Sequence, residues 1–367
     1  MFKDRLEKAQ NLMREESIEA MLLSVGADLP YFTGYEAMPL ERLTMLVIQT
    51  EGIPVLVIPK LEAPRVIPKP GLFEIHPWTE VEDPISVIVS LLRGTKSVAI
   101  GDTTWSRFTI EILKHLPNLQ LRNASTLTSY LRAVKDPEEL FRLQEASSAV
   151  DRIATRLQVG EIDLVGRTER QVSEEISRQI IQEGHQKVNF AIVAAGENAA
   201  SPHHEPSSRL IKESEVVLCD FGGTMTGDDG VGYCSDITRC VWTGEPPQEF
   251  VEMYGVLYHA QKKQVQACNE GIPAQEVDRI GRNIIASAGY GENFIHRTGH
   301  GIGVEAHEDP YIVEGNTQPL EQGNVFSIEP GIYIPNKWGA RLEDIVAVTG
   351  DGPLPLNTVD HNLAVIL

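Results

Sequence analysis

The opening residues, MFKDRLEKAQNLMREE (1–16), mix apolar and charged positions at helical spacing and predict an amphipathic helix. Apolar runs bounded by turn residues then predict strands at MLLSV (21–25) and SVAIGD (97–102). TMLVIQTEGIPVLVIP (44–59) divides into two strands around Glu51-Gly52, and ISVIVSLLRG (85–94) reads as a helix. Strands alternating with helices predict an α/β domain. The pattern changes near 133–136, where Asp136-Pro137 is a helix start, with aspartate as cap and proline in the first turn. Leu140, Leu143, Ala146, Val150, Ile153 and Leu157 follow on one helical face. Further helices fit 168–184, 247–270 and 274–288, and strands fit 189–194, 215–222, 236–243, 325–334 and 341–348. The pattern shows no repeat and no low-complexity segment, and it divides the chain at residues 1–133 and 134–367.

The 367 residues suit two domains, at roughly 100–200 residues each. With 42% hydrophobic and 23% charged residues the chain is ordinary for a globular protein, which excludes disorder as its general state. The formal net charge of −20 excludes the basic footprint that nucleic acid requires and favours solubility. Cys219, Cys234, Cys240 and Cys268 form no C-x-x-C pair; they read as core residues suited to a reducing compartment. The charged N-terminus lacks the apolar centre of a signal peptide, and no apolar run reaches a membrane-spanning length. The expectation is a cytoplasmic protein with no nucleic-acid or membrane partner.

Five segments carry an acid or a histidine beside glycines or apolar strand residues: VVLCDFGG (216–223), GYCSDITR (232–239), HRTGHGIGVEAHED (296–309), SIEPGIY (327–333) and RLEDIV (341–346). Singly, each has an ordinary structural explanation. Asp220 and Asp236 fit strand-end turns or caps. Glu329 and Glu343, embedded in apolar strands, fit buried ion pairs, with Arg341 as a partner for Glu343. His300, between Gly299 and Gly301, fits a structural histidine, although small neighbours also let a ligand approach the backbone. Together the set says more. Four carboxylates in one core cannot stay ionised without cations, and two divalent ions would balance them. Oxygen-rich ligation with one nitrogen suits manganese, with cobalt or zinc as alternatives.

In this order the five segments resemble the pita-bread metallopeptidases, specifically the proline-specific branch of prolidase and aminopeptidase P. The resemblance covers essentially the whole chain, including PYFTGYE (30–36) and LRAVKDPEEL (131–140). It implies an α+β protein, with a creatinase-like α/β N-terminal domain (1–133) followed by a pita-bread catalytic domain (134–367). It implies metal ligation by Asp220, Asp236, His300, Glu329 and Glu343, with Asp236 and Glu343 bridging two ions. It gives Glu329 a proton-transfer role, and His203 and His307 contacts to the substrate carbonyl and oxyanion. His203 is chosen over His204 because it follows a proline. Arg341 either anchors a carboxylate or orients Glu329. The implied reaction is cleavage of the amide between an N-terminal residue and proline, with a hydroxide bridging the metals as nucleophile. The implied substrate is a small peptide with proline second, and the implied assembly is a homodimer.

Two departures stand out. Fifteen residues separate Asp220 from Asp236, a longer connection than is usual in the family, and it carries Asp228 and Asp229 on an expected hairpin tip. Arg297 stands where a glycine is commoner. Four other readings compete. An ectoine-derivative type hydrolase would act on a small-metabolite amide. A creatinase-like enzyme would lack the metal set, a methionine aminopeptidase would lack the first 130 or so residues, and a non-catalytic binding module would lack metal ligands.

Overall fold

The computed structural model describes residues 1–366, which form two compact units. The first comprises Met1–Arg132 with Thr226–Gly232, the second Ala133–Met225 with Tyr233–Leu367. Among the described residues no helix is long and apolar enough to cross a membrane.

The first unit runs α1 (Phe2–Glu15), β1 (Ala20–Leu23), α2 (Asp28–Thr33), β2 (Met45–Gln49), β3 (Val55–Pro59), β4 (Glu74–Trp78), α3 (Pro84–Leu91), β5 (Ser97–Ile100), α4 (Ser106–His115), β6 (Gln120–Asn123) and α5 (Ser125–Ala133). Its mixed sheet has the order β4-β3-β2-β1-β5-β6. Successive strand residues face opposite sides. Ala20, Leu22, Met45, Val47 and Val57 therefore share one face and pack with Ile88, Phe108 and Ile112 of α3 and α4. Their neighbours Met21, Leu23, Leu46 and Ile48 are also fully buried, so the sheet is covered on both sides. Within this unit Lys69 Nζ donates to the carbonyls of Thr33 (2.9 Å) and Asp229 (3.1 Å), which anchors the 226–232 segment.

The second unit holds α6 (Pro137–Gln158), α7 (Glu169–Gln182), β7 (Lys187–Ala195), β8 (Val216–Thr226), β9 (Gly232–Cys234), β10 (Ile237–Thr243), α8 (Gln248–Ala267) and α9 (Ala274–Ser287). There follow β11 (Gly299–Gly301), β12 (Glu308–Ile312), β13 (Val325–Ile328), β14 (Gly331–Ile334), β15 (Trp338–Arg341), β16 (Asp344–Thr349), β17 (Gly352–Pro355) and β18 (Ala364–Ile366). Asp136 caps α6 as its sequence predicts: its carboxylate accepts from Glu139 N (2.9 Å), and Glu139 answers by accepting from Asp136 N (3.0 Å). Glu139 is itself buried and accepts from the Tyr233 hydroxyl at 3.0 Å.

One sheet has the order β18-β10-β8-β7, with β9 on β8; another has the order β12-β11-β13-β16-β17. Along β8 the residues alternate between two cores. Val217, Cys219 and Phe221 join α6 and α7 through Val150, Ile153, Val172 and Ile176. Val216 and Leu218 join α8 through Phe250, Met253 and Leu257. Asp220 continues the Val216–Leu218 face, inside the strand rather than at its end.

Two predicted strands prove to be interrupted. Residues 325–334 divide into β13 and β14 at Glu329-Pro330, and 341–348 divide between β15 and β16 at Leu342-Glu343. Pro330 has no N–H to continue the ladder. At that point the pairing changes, β13 with β16 and β14 with β15. Glu329 and Glu343 are therefore not embedded in strands, as the apolar flanks suggested. They sit where the two sheets part.

Candidate metal centre and substrate cleft

The register of β8 and β10 sets Thr238 opposite Asp220. Asp236 lies two residues before Thr238 on the same side, and Glu343 forms an isolated bridge with Thr238. The longer connection thus leaves the two aspartates in register. His300 is carried by β11 between β12 and β13. Asp220, Asp236, His300, Glu329 and Glu343 line a cavity of about 440 Å³ together with His203, His307, Arg341, Arg297, His296, Phe190, Ile192 and Pro202. All eight residues named by the resemblance are in this lining. Asp228 and Asp229 are not.

Asp236, His300 and Glu343 each offer a ligand atom, all within 4.8 Å of one another. Asp220 is outside that group of three, and its Oδ2 accepts from Arg341 Nη2 at 2.5 Å. The hydrogen bonds fix which atoms face the centre. His300 Nδ1 lies 3.1 Å from the Gly301 carbonyl, so it carries the proton. Its Nε2 lone pair then faces Glu329 Oε1 at 3.3 Å and Asp236 Oδ2 at 3.8 Å. Acceptors facing acceptors require a proton or a cation between them. Asp236 Oδ1 is buried with no hydrogen-bond partner among the described residues. Thr238 Oγ1 donates to Glu343 Oε2 at 2.6 Å, orienting that carboxylate. The donor set therefore fits divalent cations, with oxygen dominating and one neutral imidazole.

The electrostatics agree. Burial, then the charges of Glu343, Asp220 and Glu329, push the Asp236 carboxyl well above the usual range. Burial, then Glu329 and Asp220, do the same to Glu343, and burial lifts Glu329 to about 7. Burial and the neighbouring His307 push His300 down to about 3, keeping it neutral. The metal-free protein therefore binds protons here that the unfolded chain does not. Below pH 6.5 the lowered His296 and His300 act in the opposite sense, so the carboxyls make stability fall with rising pH chiefly from about 6.5 upward. Adding manganese to metal-free protein at pH 7 is expected to release protons and raise Tm, by a margin that grows between pH 5.5 and 7.5. Titration calorimetry in buffers of different ionisation enthalpy reads the protons directly. A pH-independent Tm with no proton release would show that these carboxyls do not share the metal site.

Arg341 is buried, and its side chain is committed. Nε donates to Thr238 Oγ1 (3.1 Å), Nη1 to the Tyr333 hydroxyl (2.8 Å) and the Pro202 carbonyl (3.3 Å), and Nη2 to Asp220. Its shorter ion pair is with Asp220, and its Nε also lies 3.9 Å from Glu329 Oε2. Arg297 differs. It forms no ion pair among the described residues, stacks 4.4 Å over the Tyr311 ring, and reaches His307 Nδ1 with Nη2 at 3.4 Å. His204 points elsewhere, to Glu169 at 2.8 Å, while His203 lines the cavity.

Several participants escape a reading of the sequence. His296 Nε2 accepts from the Tyr333 hydroxyl at 2.9 Å and its Nδ1 faces the Arg297 carbonyl at 2.7 Å, so Arg341, Tyr333 and His296 form one chain of hydrogen bonds. Arg239, fully buried, donates to the carbonyl of Glu343 (2.6 Å) and to Asp344 (2.8 Å), fixing the backbone behind the ligand. The available signals were modest: Thr238 sits two residues from Asp236 in a strand, and Arg239 interrupts an apolar run.

Residues 142–350 match metallopeptidase family M24, and residues 5–134 match the creatinase/prolidase N-terminal domain. The chain is 38% identical to the probable dipeptidase PepE of Mycobacterium tuberculosis, over 99% of this chain and 96% of that one. It is 37% identical to the Xaa-Pro dipeptidase of Lactobacillus helveticus, over 98% of each. The solved structure of recombinant prolidase from Thermococcus sibiricus superposes with a TM-score of 0.92 at 36% identity, covering 100% of this chain and 99% of that one. With both domain types matched in order and the cleft built from the five motif segments, the chain belongs to metallopeptidase family M24, in its Xaa-Pro branch.

Proposed function

We propose that this protein is a Xaa-Pro dipeptidase working with two divalent ions, manganese by preference, held by Asp220, Asp236, His300, Glu329 and Glu343. When bound, such ions would acidify a shared water and polarise the scissile carbonyl. The protein's own groups do the rest. Arg297 donates toward His307 Nδ1, which leaves the His307 proton on Nε2, available to the substrate carbonyl oxygen. His203, which also lines the cavity, supplies a second donor where negative charge develops. Glu329 accepts a proton as water adds to the amide and delivers it to the departing nitrogen. Phe190, Ile192 and Pro202 offer an apolar wall to a pyrrolidine ring.

The observation that carries the dipeptide reading is the contrast between the two arginines. Arg341 already donates to Asp220, Thr238, Tyr333 and Pro202. Arg297 is the cleft arginine without an ion pair, and its planar fork suits a free carboxylate. A dipeptide presents that carboxylate next to the cleaved bond, and a tripeptide carries it one residue further away. Both named dipeptidase relatives favour the same choice. Ala-Pro is expected to be cleaved with a kcat/KM well above that of Ala-Pro-Ala. Arg297→Gln should raise KM for Ala-Pro roughly 10- to 100-fold and largely erase the preference. Equal cleavage of both peptides by the wild type, or an intact preference in the variant, would remove Arg297 from recognition.

A further inference from the structure

Glu169 is a fully buried carboxylate outside the metal centre. Glu169 occupies the first turn of α7, which Thr168 caps in a reciprocal box with Gln171. Its Oε1 accepts from Ala195 N and Asn198 Nδ2, both at 2.9 Å. Its Oε2 accepts from Ser207 Oγ (2.6 Å), His204 Nε2 (2.8 Å) and Ser207 N (3.0 Å). All five groups are donors, and all belong to the segment 195–207. Backbone pairing reinforces the anchorage, with Glu169 N and Arg170 N donating to the carbonyls of Arg209 and Ser207. Burial works against the charge, but the hydrogen bonds from Ser207, Ala195, Asn198 and His204 outweigh it and hold Glu169 below the usual carboxylate range.

This segment carries His203 into the cavity, and it has a second anchor at Pro202, whose carbonyl accepts from Arg341. Between the two anchors, adjacent histidines are sorted: His204 turns inward to Glu169 and His203 faces the cleft. We infer that Glu169 is a positioning residue, whose carboxylate gathers the 195–207 segment and so fixes His203 against the substrate. The inference rests on the function proposed above for the role of His203. A carboxylate is needed because every approach to it is by a donor. The amide of glutamine would turn its NH2 toward the backbone N–H of either Ser207 or Ala195, leaving that buried donor without its acceptor.

Glu169→Gln is expected to lower kcat and kcat/KM for Ala-Pro together, by roughly 10- to 100-fold, with metal content unchanged. His203→Ala should do the same. The double variant should be no slower than His203→Ala alone, since a group acting only through His203 has nothing further to lose. His204→Ala, a milder change, should show a smaller loss with the same non-additivity. Crystal structures of the metal-loaded Glu169→Gln and His204→Ala proteins should show His203 displaced and the five metal-site residues in place. Additive losses, a fall in metal content, or His203 unmoved would each overturn the inference. A wild type that fails on Ala-Pro sinks the proposed function instead, and the variant structures then decide the positioning role alone.

Discussion

Glu329→Gln is expected to lower kcat for Ala-Pro by about 10^3-fold, the scale of a lost proton carrier. The expectation follows from where the side chain sits. Glu329 lies in the break between β13 and β14, its backbone N–H held by the Thr298 carbonyl at 2.8 Å. One carboxylate oxygen faces His300 Nε2 at 3.3 Å and accepts from Ser327 Oγ at 3.3 Å. The other is 3.9 Å from Arg341 Nε. Burial lifts this carboxyl to about 7 in the metal-free protein, and in the proposed mechanism its ionised form takes a proton and passes it on. Glutamine keeps the shape and one acceptor but cannot carry the proton. The measurement is steady-state hydrolysis with metal content determined on the same sample. A variant with full metal whose kcat stays within about tenfold of wild type would exclude Glu329 from proton transfer.

The second large effect is expected at a residue that has no side chain to titrate. Gly299→Ala should destabilise the protein by about 3 kcal/mol and abolish tight metal binding. A Cβ at Gly299 would stand 1.8 Å from the Ser327 carbonyl oxygen and 2.7 Å from its carbon, and both are backbone atoms of β13. Neither can turn aside, so β11 must move off β13. That movement breaks the hydrogen bond from His300 N to Ser327 Oγ (3.0 Å) and carries the His300 imidazole with it. Gly255, inside α8, is the matching control. A Cβ there meets nothing within 4 Å, and alanine should stabilise by about 0.5–1 kcal/mol through the lost freedom of glycine. Thermal unfolding and metal titration of both variants test the pair. An unchanged metal affinity in Gly299→Ala would mean that β11 can shift without disturbing His300.

These glycines show how a sequence reading can name a position for the wrong reason. The glycines flanking His300 suggested room for a ligand. Gly299 and Gly301 in fact admit neighbouring backbones, with the Asp309 carbonyl 2.2 Å from a Cβ on Gly301. The two departures separate in the same way. The long 226–232 connection, which could have carried Asp228 and Asp229 toward the cleft, belongs to the first unit and is anchored there by Lys69. Arg297, one substitution in a motif, lies in the cleft lining.

By family resemblance the sequence carried the α+β class, and by local pattern the strand and helix rhythms of both units and the capped start of α6. The rhythms and the cap rest on local spacing: period two in strands, 3.6 in helices, and an aspartate before a proline. It also named the acids and histidines of the cleft, because their segments are short and distinctive. It could not say which of them share a proton, a hydrogen bond or an ion pair. Whether Arg341 is free or spent depends on Asp220, over a hundred residues earlier in the chain, and on the side chains of Thr238 and Tyr333. Whether His203 or His204 faces the cleft depends on Glu169, which no local pattern marks. The breaks at Glu329 and Glu343 arise because two sheets compete for one chain. Such choices are settled by long-range register and by which buried donors find acceptors, and those are properties of the packed protein rather than of any stretch of it.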